Sequence, residues 1–303
     1  MDGDIADWAS RVQRIEALGY GAVSISDHLS GGWSMDVFVS LAAAATATTR
    51  LRLLSLVLAN DYRHPALVHR AVAAIDVLSR GRAEIGIGTG WVAAEYEALG
   101  LQFDRPEVRV ERLAESVELI LALFGPEPVT RDGVHYRIRG LAGAPRPVQL
   151  PHPPLLIGGG APRLLALAGR VADIAGIYPP RDAAGRVSPA TLSPESTARR
   201  TRSVLAAAET AGRPPGSVRL QLSILAYDLT QGDGTRAAAM SSIADADLIG
   251  AARQGDLCGV LVGTIDEARD RLVEWRERYG FSEIHIGSDA EAFAPIVEQL
   301  AGR

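Results

Sequence analysis

Between His64 and Gly100 the pattern of apolar and polar positions changes period. Leu67, Val68, Ala71, Val72, Ile75 and Leu78 recur at three- and four-residue spacing, which draws one apolar stripe on a helix over 65–78. Pro65 suits the first turn of that helix, where its missing N–H is not needed. Residues 79–82 break the helical period. Ile85 and Ile87 then alternate within a short run over 83–87, which predicts a strand, and Gly88, Thr89 and Gly90 follow with a backbone free to turn sharply. Helix, tight turn, strand and glycine-rich loop in succession form half of an α/β repeat.

The same alternation covers the chain. Strands are predicted over 22–26, 51–58, 83–87, 155–157, 173–178, 218–227 and 284–286, and helices over 6–18, 35–48, 65–78, 108–124, 162–171, 193–211 and 265–279. Strands separated by helices imply parallel crossovers, so pattern alone leaves an open doubly wound sheet or a closed barrel. Thr264 and Glu267 have the spacing of a capping box at the last of these helices. Asp132-Gly133 between short apolar runs predicts an antiparallel hairpin over 128–138, and segments 179–194 and 231–255 read as variable rim loops.

With 303 residues, 47% apolar and 22% charged, the chain suits one large α/β domain over 1–303. A net charge of -5 gives no reason to expect nucleic acid or an anionic membrane as partner, and a small molecule is the expected ligand. No apolar run approaches the roughly 20 residues of a bilayer span, and the first ten residues lack the order of a signal peptide, so a cytoplasmic location is expected. Cys258 is the one cysteine, which excludes an intrachain disulfide, and the six histidines show no ligand spacing; no metal is expected. All 31 basic residues are arginine, which removes lysine as a catalytic group.

On residues alone, the candidate functional sites have ordinary readings. Asp27-His28 after the first strand reads as a loop pair capping the next element. Gly88-Thr89-Gly90 reads as a turn, since its spacing is not that of the dinucleotide fingerprint. Gly158-Gly159-Gly160-Ala161-Pro162 reads as a glycine-rich turn, although its place before a proline-started helix also suits a phosphate. Glu95 reads first as a capping or solvent-facing carboxylate and second as a proton-accepting group one helical turn after Trp91.

Five blocks taken in order change the picture: GYGAVSISDHL from Gly19, RHPALVHRAVAAIDVLSRGRAEIGIGTGW from Arg63, RVERLAESVELILALFGPEPVTRDGVHYRI from Arg109, PPLLIGGGAPRLLALAGRVADIAGI from Pro153, and LVGTIDEARDRLVEWRERYGFSEIHI from Leu261. Together they resemble the luciferase-like monooxygenase superfamily, and in particular its coenzyme F420-dependent branch. The resemblance implies a (β/α)8 TIM barrel with rim insertions. It also implies a strand ahead of the first helix that this chain lacks, so that either the native start lies upstream or the barrel is open at one side.

The resemblance further implies an oxidoreductase that moves a hydride between deazaflavin C5 and a small organic substrate, with His28 exchanging the proton. Asp27 would contact the cofactor. Ser55 and Leu56 fall where the family often has a nonprolyl cis peptide behind the ring. Thr89 and Gly90 match its cofactor-contacting pair, and Gly159, Gly160, Ala161, Arg163 and Leu164 match residues at the cofactor phosphate and tail. Trp91 stands where the sugar-phosphate dehydrogenases of this branch place a glutamate. An indole cannot accept a proton in that role, and no lysine is present for a sugar phosphate, so a flatter, less polar substrate facing Trp91 is expected. The alternatives are an FMN-dependent monooxygenase supplied by a separate reductase, and a noncatalytic flavin or deazaflavin carrier. The lysine-free, Ala-, Gly- and Arg-rich composition suggests a GC-rich genome, which by family analogy favours F420. A homodimer is expected because dimers are common in the family.

Overall fold

The computed structural model describes residues 7–29, 35–182, 185–241 and 247–300. The chain divides into two compact units, Met1–Leu156 and Ile157–Arg303.

In the first unit α1 (Trp8–Ala17) leads into β1 (Ala22–Ile25), followed by α2 (Val37–Ala47), β2 (Arg52–Ser55), β3 (Leu58–Ala59), α3 (Pro65–Ser79) and β4 (Ala83–Gly88). The short α4 (Ala93–Ala98), the long α5 (Pro106–Phe124), a hairpin of β5 (Val129–Asp132) and β6 (Arg137–Leu141), and the start of β7 (Leu155–Gly159) complete it. β1 runs parallel to β2, with Ala22 opposite Arg52 and Ile25 opposite Ser55, and β2 runs parallel to β4. All six residues of β4 are buried, as expected for a parallel strand covered on both faces. Leu53, Leu54, Ile85, Ile87, Leu155 and Leu156 supply much of the core.

Local chemistry sets the helix ends. The Asp36 carboxylate accepts the Phe38 and Val39 N–H groups at the start of α2, and His64 Nδ1 accepts the Ala66 N–H ahead of Pro65 on α3. The strand expected over 51–58 is two strands: the chain leaves the ladder at Leu56–Val57, whose peptide is cis, sends the Leu56 N–H to the Ile25 carbonyl, and rejoins β4 as β3, with Leu58 opposite Ile87. The hairpin forms near its expected place, but the connection runs from Gly133 to Tyr136 and not through a two-residue Asp-Gly turn. The reason is Glu115 of α5, whose carboxylate accepts the His135 and Tyr136 N–H groups and so fixes a longer loop.

The second unit holds the end of β7 and then α6 (Pro162–Val171), β8 (Ile174–Ile177), α7 (Pro194–Thr210), β9 (Arg219–Ser223), β10 (Ala226–Thr230) and β11 (Arg236–Met240). It continues through α8 (Leu248–Gln254), β12 (Val260–Thr264), α9 (Ile265–Tyr279), β13 (Phe281–His285) and α10 (Ala290–Leu300). β9 lies parallel between β8 and β13. The strand expected over 218–227 is also two strands. Ile224 donates its N–H to the His285 carbonyl and Leu225 donates to Gly259, so β10 leaves for a separate sheet with β11 and β12. The Thr264–Glu267 capping box is present in full at α9. Among the described residues the first strand, β1, follows α1; the expectation about a strand ahead of that helix falls on residues 1–6, outside the described residues.

Candidate active site

Asp27 and His28 follow β1 at its carboxyl end, the end at which α/β folds place their ligands. The two side chains have different surroundings. Asp27 is buried, and its Oδ2 accepts the Ala59 N–H at 3.0 Å and Arg63 Nη1 at 2.6 Å, so the carboxylate ties the loop after β1 to β3 and to the turn before α3. His28 is one third exposed and faces two groups from the segment after β4. Its Nδ1 lies 3.2 Å from Glu95 Oε2, and its ring meets the Trp91 indole edge-on at 5.7 Å.

Glu95 departs from its expected place. It is neither a cap nor solvent-facing: α4 turns Glu95 and Tyr96 inward, and the Glu95 side chain is 3% exposed. The Tyr62 hydroxyl donates to Glu95 Oε2 at 2.9 Å, and the Leu29 N–H donates to Oε1 at 3.0 Å. Burial and the adjoining carboxylate push the Tyr62 phenol well above the usual tyrosine range, so it stays an O–H donor. Sequence reasoning names Glu95 as a substitute for the missing acceptor at Trp91 but prefers a capping or solvent-facing place, because its partners lie far away in the chain and adjacent inward positions of a six-residue helix leave no periodic signal.

The Thr89–Gly90 loop is shaped by groups behind it. Tyr96 Oη donates to the Thr89 carbonyl at 3.0 Å, and Arg109 Nη1 donates to the Gly90 carbonyl. In planar trans peptides the N–H opposes the C=O, so the Gly90 and Trp91 amides point away from Tyr96 and Arg109. Gly90 has φ of 69°, and a Cβ there would stand 2.3 Å from the Tyr96 oxygen; only glycine fits. Tyr96 also bonds Asp61, which pairs with Arg112 of α5, so α4, α5 and the turn before α3 share one polar network. Burial and then Asp61 push the Tyr96 phenol up as well.

Ser55 and Leu56 are buried, and Ser55 Oγ both donates to the Gly86 carbonyl and accepts the Gly86 N–H, each at 2.9 Å. The structure thus brings His28, Trp91, Thr89 and Gly90 into one neighbourhood with Glu95 and Tyr62, while the Asp27 carboxylate and the Ser55 hydroxyl bond protein groups. Trp91 is 39% exposed.

In the second unit the Gly159–Gly160 turn leads into α6. The Tyr178 N–H donates to the Gly159 carbonyl, and a Cβ on Gly160 would stand 2.4 Å from the Tyr178 oxygen. Leu164 lies over Gly159 and gives its N–H to the Ala161 carbonyl, so it packs; Ala161 and Arg163 are exposed. A cavity of about 530 Å³ in this unit is lined by Asp228, Arg236, Arg253, Asp256, Glu267 and Arg271 among others, and includes none of the expected site residues. Arg236 and Arg253 both pair with Asp228. Among the described residues no group of three His, Cys, Asp or Glu side chains could hold a metal ion, and burial pushes the Cys258 thiol up to about 12.

The model of the luciferase-like monooxygenase family matches residues 2–228. The chain belongs to that family. This luciferase-like chain is 32% identical, over 52% of its own length, to an F420-dependent glucose-6-phosphate dehydrogenase of Microbacterium testaceum. It spans about half the length of the curated relatives it matches, 48% in that case. Two solved structures share its fold along nearly the whole chain. The monooxygenase RslO1 from Streptomyces bottropensis has a TM-score of 0.76 at 23% identity, covering 97% of this chain and 91% of its own. The coenzyme F420-dependent tetrahydromethanopterin reductase from Methanopyrus kandleri has a TM-score of 0.74 at 19% identity, covering 98% and 94%. The fold is therefore the α/β architecture of the luciferase-like TIM-barrel proteins.

Proposed function

We propose that this chain is an F420-dependent oxidoreductase that transfers a hydride between deazaflavin C5 and a small organic substrate, with His28 as the proton donor or acceptor. The observation that carries the reading is the placement of the one-third-exposed His28 imidazole at the carboxyl end of β1, beside the exposed Trp91 and next to Glu95. Imidazole is the side chain suited to exchanging a proton near neutral pH. Likeness to curated F420-dependent dehydrogenases supports the choice of cofactor.

The residues fit a flat polar ring. The Thr89 and Gly90 carbonyls are drawn back by Tyr96 and Arg109, which turns the neighbouring amides the other way, and Trp91 adds an apolar wall. Bound deazaflavin would supply the hydride chemistry. In this reading Thr89 and Gly90 hold the ring's polar edge, Ser55 and Leu56 back it, and Asp27 holds the loop that carries His28. The second unit by itself offers Gly159, Gly160, Ala161 and Arg163 for an anionic group of the cofactor, with Leu164 packed behind them. Trp91 selects a flatter, less polar substrate than a sugar phosphate.

The test is turnover of a panel of alcohols, carbonyls and activated alkenes, followed through the deazaflavin absorbance, in wild type and in His28→Asn. The expected result is a rate about 10² to 10⁴ times lower in the variant, the usual contribution of a proton-transfer group, with cofactor affinity little changed. An unaffected single-turnover rate in folded His28→Asn would remove His28 from the reaction.

A further inference from the structure

Glu95 is a buried carboxylate that meets three hydrogen-bonding groups from two parts of the first unit. They are the Leu29 N–H beyond β1, the Tyr62 hydroxyl from the turn before α3, and the His28 imidazole. With Glu95 ionised the carboxylate only accepts, and the hydrogen shared with His28 then sits on Nδ1. Tyr62 cannot reverse this polarity, because burial and Glu95 both hold its phenol in the protonated form. Leu29 is the residue next to His28, so the same carboxylate grips the backbone and the side chain of one loop. The Trp91 indole edge limits the ring from another side.

We infer that Glu95 is a positioning residue that holds His28 in the Nδ1–H tautomer and presents Nε2 as its single site of proton exchange. A histidine loosely placed at a loop would divide itself between two tautomers and several rotamers, and only one arrangement aims a lone pair at a given substrate atom. A carboxylate at Nδ1 removes that choice, and a proton gained at Nε2 produces an imidazolium whose charge faces Glu95. Asp27, the carboxylate adjacent in sequence, does not serve this purpose, because its Oδ2 is taken by Arg63 and the Ala59 N–H. The tautomer follows from the contact with an ionised Glu95; its consequence for turnover rests on the proposed role of His28.

The test is the ring ¹⁵N spectrum of the histidine-labelled full chain, recorded above the imidazole titration, with the His28 signals identified by their loss in His28→Asn. The wild type is expected to show a protonated Nδ1 and an unprotonated Nε2 for His28. In Glu95→Gln the amide can donate to Nδ1, and the signals are expected to move toward the Nε2–H form, with kcat lowered about 10²- to 10⁴-fold and KM little changed. In Tyr62→Phe the carboxylate remains, and the Nδ1–H form is expected to persist. An Nε2–H tautomer in the wild type overturns the inference and needs no variant to fold; so does a tautomer identical in wild type and folded Glu95→Gln. The expected tautomers without any F420-linked turnover would sink the proposed function and leave the positioning role standing.

Discussion

At the residue scale, titratable groups that are buried or held by backbone N–H groups set how this chain responds to acid. His285 ends β13 with a buried Nδ1 that has no hydrogen-bond partner among the described residues, and burial lowers its imidazole from 6.5 to about 4. The unfolded chain therefore binds more protons than the folded one between those values, and stability falls as pH drops from about 6.5 towards 4. Glu16 acts in a lower window. Burial would raise it, but the Arg50, Leu51 and Thr49 N–H groups outweigh burial and bring it to about 2, so its contribution is present above 4.5 and lost as pH falls through 2. Thermal unfolding of wild type and His285→Gln from pH 7 to 4 should show a smaller loss in the variant, which carries no titrating ring. Parallel curves would mean that His285 is protonated in the folded state. Glu95 shows what a single residue hides in sequence: its partners Leu29, His28 and Tyr62 are 66, 67 and 33 positions away, and no local pattern announces them.

At the element scale, what could be read was whatever local chemistry determines. α6 and α9 have the bounds that apolar spacing predicts, and α3 differs by one residue at its end, because proline starts and side-chain caps are written next to the helices they set. The Asp27-His28 loop, the Thr89–Gly90 turn and Trp91 could be placed after apolar strands, but only the family resemblance singled them out as site candidates. The divisions of 51–58 and 218–227 into two strands each were not, since both halves are apolar and their separation depends on partners elsewhere: Ile25 and Ile87 in one case, His285 and Gly259 in the other. α8 and β11 lie within 231–255, where composition suggested only loop, and α8 joins β12 on a core built from Val187, Leu192, Leu225, Leu248 and Val260, brought together from four segments. The β5–β6 hairpin is likewise held from outside, by Glu115. Glu115→Ala should cost about 1.5 to 3 kcal/mol, the range for hydrogen bonds to a charged acceptor, and should speed hydrogen exchange at the His135 and Tyr136 amides relative to the amides of α5. Unchanged exchange at both amides would show that the hairpin holds its loop without α5.

At the scale of the whole molecule, family and fold are established by the match over residues 2–228 and by the structural likenesses, while the reaction is the proposal that the His28 neighbourhood supports. Among the described residues no helix is long and apolar enough to cross a membrane, and the net charge is -5. The luciferase-like scaffold is shared by proteins named for F420 and by proteins named as monooxygenases, so the choice of cofactor divides the readings more sharply than any substitution. The most direct measurement is a pair of fluorescence titrations of the purified chain, one with coenzyme F420 and one with FMN, followed by competition between them. Tighter binding of F420, displaced only weakly by FMN, is the predicted result; tighter binding of FMN with oxygen-dependent oxidation of the reduced flavin would contradict the account and make the protein a monooxygenase.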